Sequence, residues 1–455
     1  MQQHQAILTS CFIASITALA VPTLTAQSQS AGPPQYEIQE IGSSDWGLAV
    51  ANDINNRGMI AGEWDAGSSF PGPRHAVVWI DGQMIDLTPD DGVIFASATS
   101  LNDHGVVTGY YNTDGSSLSG GFRWHRSQYE TLPTFAPGFQ QGYGITESGL
   151  VLGHAMHEDF DIDATAWGHG LDDYDLGNLG GLSSLAYDGN GWGTIVGSSG
   201  VTLNQNNAFR WSGGVMHDIG TLPGHPIGRA YAINNHEEIV GYSGSTADGE
   251  GFYWSSEAGM VGLGELGTSF GSSAADINDE GVIVGYTYAP TGRVGAVWHD
   301  FELFDLNTLL VNGKSWSIIE ARGINELGQI VGVGIHRGSI VSYLATPVDA
   351  PMTTLVGPTP GLSGMLNTIE IIEATPGAEI RVFQGLAAGE SPVAGSTGAV
   401  VDIAEPRSMQ LIADESGSAS LSFFLPEAAL GATLLFQAVD MSNGDVTNLS
   451  VRTVD

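Results

Sequence analysis

The densest set of chemically capable side chains lies at residues 154 to 163, His154-Ala155-Met156-His157-Glu158-Asp159-Phe160-Asp161-Ile162-Asp163. Two imidazoles and four carboxylates stand within ten residues. Imidazole nitrogens suit zinc, and carboxylate oxygens suit calcium. The candidate metal ligands are therefore His154, His157, Asp159, Asp161 and Asp163, with Ca or Zn as the ion. Their spacing follows no established metal motif, and a solvated acidic loop explains the same letters.

Other candidates are weaker. Asn55-Asn56-Arg57-Gly58, Asn102-Asp103-His104-Gly105 and Asn278-Asp279-Glu280-Gly281 resemble fragments of calcium loops. Each offers two or three oxygens where calcium takes six to eight, so turn chemistry accounts for them. Trp79, Trp124, Trp167, Trp211, Trp254 and Trp298 fall 43 to 45 residues apart. A ladder for stacking sugars is one reading. A residue recurring at an equivalent place in every unit is better explained as packing that every unit needs. No Ser-x-x-Lys, His-Glu-x-x-His or Walker loop occurs, so no catalytic set is legible.

The elements that would carry these residues are set by repetition. Between residues 51 and 333 the chain writes variants of Ala-x-x-Ile-Asn-x-x-Gly-x-Ile-Val-Gly seven times, closing at Gly62, Gly109, Gly153, Gly197, Gly241, Gly285 and Gly332. A period near 44 residues marks a repeat architecture whose units cannot bury their apolar faces alone. In the sixth unit the apolar segments Ala274 to Ile277, Val282 to Tyr286, Gly295 to Trp298 and Glu302 to Leu306 are separated by turn residues. Four short strands at this period describe one blade of a β-propeller. The last unit lacks a fourth strand, and Tyr36 to Ile41 at the other end of the repeat region matches it. The expectation is an all-β, seven-bladed β-propeller over residues 36–347, closed by that N-terminal strand.

The third-strand segments His75-Ala76-Val77-Val78-Trp79 and Asn207-Ala208-Phe209-Arg210-Trp211, with the Ile-Asn-x-x-Gly-x-Ile-Val-Gly units, resemble the extracellular HAF repeat family. The resemblance covers about two thirds of the chain and implies a secreted, bacterial, propeller-like protein; it brings no established activity. Units three and four depart from the pattern, at Ile145-Thr146 and at Asp188-Gly189-Asn190-Gly191.

The flanking segments complete the plan. Residues 1–26 hold an apolar run ending in small residues, the pattern of a secretory signal peptide. No other stretch is long and apolar enough for a membrane helix. The only cysteine, Cys11, lies in that signal, so no disulfide is expected. Residues 348–364 read as a Pro-rich linker, and 365–455 as about seven short strands forming a small β-sandwich.

Fifty acidic residues oppose thirteen basic ones, a formal charge of −37, with Lys314 the sole lysine. That field repels nucleic acid and acidic membrane surfaces. The expected protein is a secreted, monomeric, non-catalytic scaffold. Its partner, an extracellular glycan or protein, is expected on the face that carries the variable second-to-third and fourth-to-first strand loops. The alternatives are a carbohydrate-active enzyme with carboxylates at the funnel mouth, or a cell-envelope structural component.

Overall fold

Short apolar segments separated by Asn-, Asp- and Gly-rich turns fold here as antiparallel four-stranded groups, one per repeat. The computed structural model describes residues 33–42, 49–65, 73–88, 92–113, 120–134, 139–156, 161–168, 173–245, 249–267, 270–348, 354–359, 366–372, 374–386, 388–393, 400–403, 406–414, 417–424, 433–442, 447 and 450–453. All of these belong to one unit, Pro33–Asp455. Among the described residues the chain is all-β, with a short 3-10 turn at Leu306–Leu309.

The first strands of the seven repeats are Ala49–Ile54, Phe95–Leu101, Gln140–Ile145, Ser184–Gly189, Ile227–Ile233, Ser272–Ile277 and Trp316–Ile324. In the seventh group the strand Tyr36–Ile41 pairs antiparallel with Ser339–Pro347, Tyr36 opposite Pro347 and Ile41 opposite Ser342. The strand expected to complete the last repeat is thus in place. The tryptophan column also continues in register: Ile283 faces Trp298, and Ile330 faces Ala345.

Apolar cores form between repeats rather than within them. Ala61, Ala76 and Val78 of the first repeat pack on Ala96, Phe122 and Trp124 of the second. The same arrangement recurs down the chain, and Val331 and Leu344 of the seventh repeat pack on Ala51, Ile60 and Trp79 of the first. Trp79, Trp167 and Trp298 are almost fully buried. Each is surrounded by aliphatic groups, and the indole N–H groups of Trp167 and Trp298 donate to Pro133 O and Leu263 O. Burial inside interfaces leaves these rings no face for a sugar.

Two columns at the turn after the first strand stitch the repeats together. The asparagine Oδ1 accepts backbone N–H groups of its own turn, as Asn234 does from His236 and Glu238 at 3.0 Å each. Its Nδ2 donates to the corresponding carbonyl of the next repeat: Asn55 to Asn102, Asn190 to Asn234, Asn234 to Asn278, and Asn325 back to Asn55 at 3.0 Å. Thr146 has no N–H to offer Asn190, so this link cannot form between repeats three and four. In the adjacent column, Asn56 and Asn235 each grip the next repeat's aspartate through backbone N–H and Nδ2. Gly191 leaves the same seam without that side chain as well.

The closing glycine of each repeat has a steric cause. A Cβ there would meet the carbonyl oxygen of the first-strand residue just before its ladder partner, from 1.8 Å at Gly153 to 2.2 Å at Gly332. No side chain fits that approach.

In the C-terminal region Thr354–Thr359, Leu366–Ile372 and Ala419–Phe424 form one sheet, and Arg407–Ile412, Glu379–Gly385, Thr433–Asp440 and Ser450–Thr453 another. The segment expected as a linker therefore contributes a strand, Thr354–Thr359. It lies at a sheet edge with a register break between Val356 and Thr359, where Pro358 removes no needed ladder bond. Ile369, Ile371, Ile380, Val382 and Phe436 form the core of this region.

Candidate functional site

Every first strand carries a β-bulge at the same place. Register breaks occur between Ala51 and Asp53, Ala98 and Ser100, Gly142 and Gly144, Ala186 and Asp188, Ala230 and Ala232, Ala274 and Asp276, and Ala321 and Gly323. A bulge residue is released from the ladder, and its side chain is re-aimed. The bulge residues are Asn52 and Thr99, then Tyr143, Tyr187 and Tyr231 in three successive repeats, then Ala275 and Arg322. All seven line one cavity of about 290 Å³.

The flanking columns are repetitive, but this one is not. The tyrosines form an arc, with ring centroids 5.5 Å apart between Tyr143 and Tyr187 and again between Tyr187 and Tyr231. Tyr143 Oη donates to Gln141 Oε1 at 2.7 Å, and Tyr110 meets its ring edge-on. Burial raises the pKa of the Tyr143 and Tyr187 phenols above the ordinary value, so both stay protonated. Elsewhere on the wall Arg322 Nη1 donates to Asn52 Oδ1 at 2.8 Å and Nη2 to Glu320 at 3.3 Å. Its Nε is buried without a hydrogen-bond partner.

The residue after the bulge is aspartate in three repeats, and each aspartate clips its strand to the next repeat. Asp53 accepts from Ile54 N at 2.8 Å and Leu101 N at 3.0 Å. Asp276 accepts from Ile277 N and Ile324 N, both at 2.8 Å, and Asp188 from Ile233 N at 2.9 Å. All three line the cavity. Loss of water around the carboxylate raises each one's pKa, Asp53 to about 6, and Asp53 and Asp188 push Asp276 further. Backbone donors pull the other way and lose to desolvation.

At the turn end the cavity meets Leu355 and Gly357 of the C-terminal region. Two further contacts seat that region there. Arg57 pairs with Glu370 at 2.8 Å, and Trp192 packs against the cluster of Phe383, Val401 and Ile403.

The residues expected to bind metal are placed differently. His154 is buried on the strand Val151–Met156, its ring 4.9 Å from Phe139 and 5.3 Å from Tyr143, and both ring nitrogens lack hydrogen-bond partners. Burial lowers its pKa to about 4. Asp163 is buried too, accepting from Asn178 Nδ2 at 2.9 Å. In the ladder His154 faces Ala164 and Asp163 faces Ala155, so strand alternation points the two side chains to opposite faces. Asp161 just precedes the strand Ile162–Trp167. His157 and Asp159 lie outside the described residues. Among the described residues no group of three His, Cys, Asp or Glu is arranged to hold a metal ion.

Sequence reading passed over the tyrosine arc, Arg322 and the three aspartates. Their signal was the column three residues before the turn asparagine or its equivalent, which reads Asn52, Thr99, Tyr143, Tyr187, Tyr231, Ala275 and Arg322, with the three aspartates directly after it.

No protein-family model and no curated protein matches the chain. Among the described residues no helix is long and apolar enough to cross a membrane. Among solved structures the chain is similar to selenomethionine-substituted virginiamycin B lyase from Staphylococcus aureus, at 10% identity over 69% of this chain and 99% of that one, with a TM-score of 0.38. It is also similar to TolB from Acinetobacter baumannii, at 11% identity over 67% of this chain and 65% of that one, with a TM-score of 0.36.

Proposed function

We propose that this chain is a secreted, seven-bladed β-propeller of the HAF repeat kind with a C-terminal β-sandwich, and that it binds a small polar ligand in the central channel without transforming it. The seven four-stranded groups, the core from the seventh repeat to the first and the Asn325 to Asn55 bond support the ring. The observation that carries the binding role is the bulge column. It is built identically in every repeat, yet it holds Tyr143, Tyr187 and Tyr231 on consecutive repeats and Arg322 elsewhere on the wall. Packing needs the same residue seven times; recognition does not. Leu355 and Gly357 occupy the turn end, so the ligand enters from the end bearing the second-to-third strand loops.

A thermal-shift screen of small neutral and charged sugars, amines and carboxylates tests this reading. A ligand that raises Tm of the full chain but not of Tyr187→Ala supports it; no shift from any compound, or one that survives Tyr187→Ala, defeats it.

One observation favours a hydrolytic second reading: carboxylates and aromatic rings converge in the cavity, and the Asp53 pKa near 6 suits a general acid. Against it, both Asp53 oxygens and both Asp276 oxygens hold backbone N–H groups. Mass-spectrometric detection of glycan cleavage, lost in Asp53→Asn, would establish hydrolysis in place of binding alone.

A further inference from the structure

The geometry points to an organic ammonium, an amino sugar or short diamine, as the ligand of the channel cavity. This inference rests on the cavity being a ligand site and adds the charge of the occupant.

The charge on the wall is one-sided. Seven of the residues lining it carry carboxylates and one carries a guanidinium. Asp53, Asp188 and Asp276 stand on the first strands beside the bulges, while Asp103, Asp279 and Glu326 are among those on the turns. The single guanidinium, Arg322, is already held by Asn52 and Glu320. Among the described residues Asp53, Asp188 and Asp276 form no ion pair. Each of these aspartates has lone pairs beyond those its backbone donors use. Like charges around a confined space of low polarizability raise one another's free energy, and a cation placed among them relieves that repulsion.

The shape of the charge excludes a compact metal ion. Calcium needs six to eight oxygens within about 2.6 Å. The described residues bring no three acidic or imidazole groups into such an arrangement. An ammonium needs only three acceptors, which one carboxylate and neighbouring carbonyl or amide oxygens supply. The Tyr143, Tyr187 and Tyr231 rings line the same cavity, and aromatic faces attract ammonium groups and stack on sugar or alkyl surfaces. A cavity of about 290 Å³ lies at the small end of ligand sites, which limits the occupant to about one sugar ring or a short chain.

The test is calorimetric titration of the full chain at low salt with D-glucosamine and with putrescine, compared with N-acetyl-D-glucosamine, D-glucose and calcium chloride. Glucosamine or putrescine is expected to bind at least tenfold more tightly than either neutral sugar. Asp188→Asn keeps the acceptor for Ile233 N and removes the charge; it is expected to weaken that binding at least tenfold while leaving the unfolding transition cooperative. Should that variant not fold, Asp53→Asn carries the same test. Ammonium binding near pH 6 also releases protons, read as a dependence of the measured heat on buffer ionisation enthalpy. Equal affinity for glucose, or binding of calcium alone, overturns the ammonium assignment and leaves the channel as a ligand site. Tyr187-dependent shifts in the wider screen without any for the two amines do the same. No binding by any compound removes the site itself.

Discussion

The turn columns and the bulge column lie side by side on the same first strands, and they follow opposite rules. At the turn, Asn55, Asn102, Asn190, Asn234, Asn278 and Asn325 repeat because each must cap its own hairpin and reach the next. At the bulge, the backbone distortion repeats while the side chain changes from Asn52 to Tyr187 to Arg322. The difference separates residues that join one repeat to the next from residues that use the surface so built. Sameness marks a mechanical task shared by all repeats; a side chain that varies on a constant backbone marks a task done once.

Substitutions that attack the shared side of this contrast carry the largest effects. Gly197→Ala would set a Cβ 1.9 Å from Leu185 O and 2.7 Å from the Phe209 ring. It is expected to cost on the order of 3 kcal/mol, read as a lowered midpoint in chemical denaturation. Asn234→Ala removes two turn caps and the bond to Asn278 O from a buried position, and is expected to cost about 2 kcal/mol. Neither loss should alter ligand specificity.

The carboxylates of the bulge region give a pH signature. Asp53, Asp188 and Asp276 bind protons more tightly folded than unfolded, where a carboxyl titrates near 3.8. Their raised values therefore favour folding as pH falls from about 6, the Asp53 value, toward 4. His154, lowered from 6.5 to about 4, opposes this over the same window, because the unfolded chain takes up its proton first. Three carboxylates against one imidazole leave a net gain. Calorimetric Tm is expected to rise between pH 7.5 and 5, and Asp53→Asn, which removes one titrating carboxyl, should flatten the slope. A Tm falling steadily over that range would contradict the assignment.

The smallest effect sharpens the comparison at its one exception. Thr146→Asn supplies the Nδ2 that the seam between repeats three and four lacks, and Asn190 O occupies the same turn position, accepting Gly193 N, as the acceptor Asn102 O, which accepts Gly105 N. A gain of about 0.5 to 1 kcal/mol is expected. No gain would mean that Gly191, rather than Thr146, sets the strength of this seam.

Much of this was legible beforehand. The glycine and tryptophan columns define four strands per repeat, and Tyr36–Ile41 falls beside Ser339–Pro347 as its match to other fourth strands implies. The bulges were not legible, because one extra residue leaves no mark on a two-residue alternation when the neighbours are small, as Ala51 and Gly142 are. Asp53, Asp188 and Asp276 carry no signal of their own for the same reason, although each lies in a strand before the turn. The run from His154 to Asp163 illustrates the converse. Proximity in sequence made it a metal candidate, whereas the ladder gives His154 and Asp163 opposite faces. Thr354–Thr359 was hidden by Pro358, which an edge position tolerates.

The division between the two columns is tested most directly by fluorine NMR of the chain labelled with 3-fluorotyrosine, its resonances assigned by single Tyr→Phe changes, during titration with glucosamine. The account predicts that the Tyr143, Tyr187 and Tyr231 signals shift together with one dissociation constant while the exposed Tyr174 stays in place. A shift at Tyr174 with the three cavity tyrosines unmoved would place the ligand away from the cavity and contradict it.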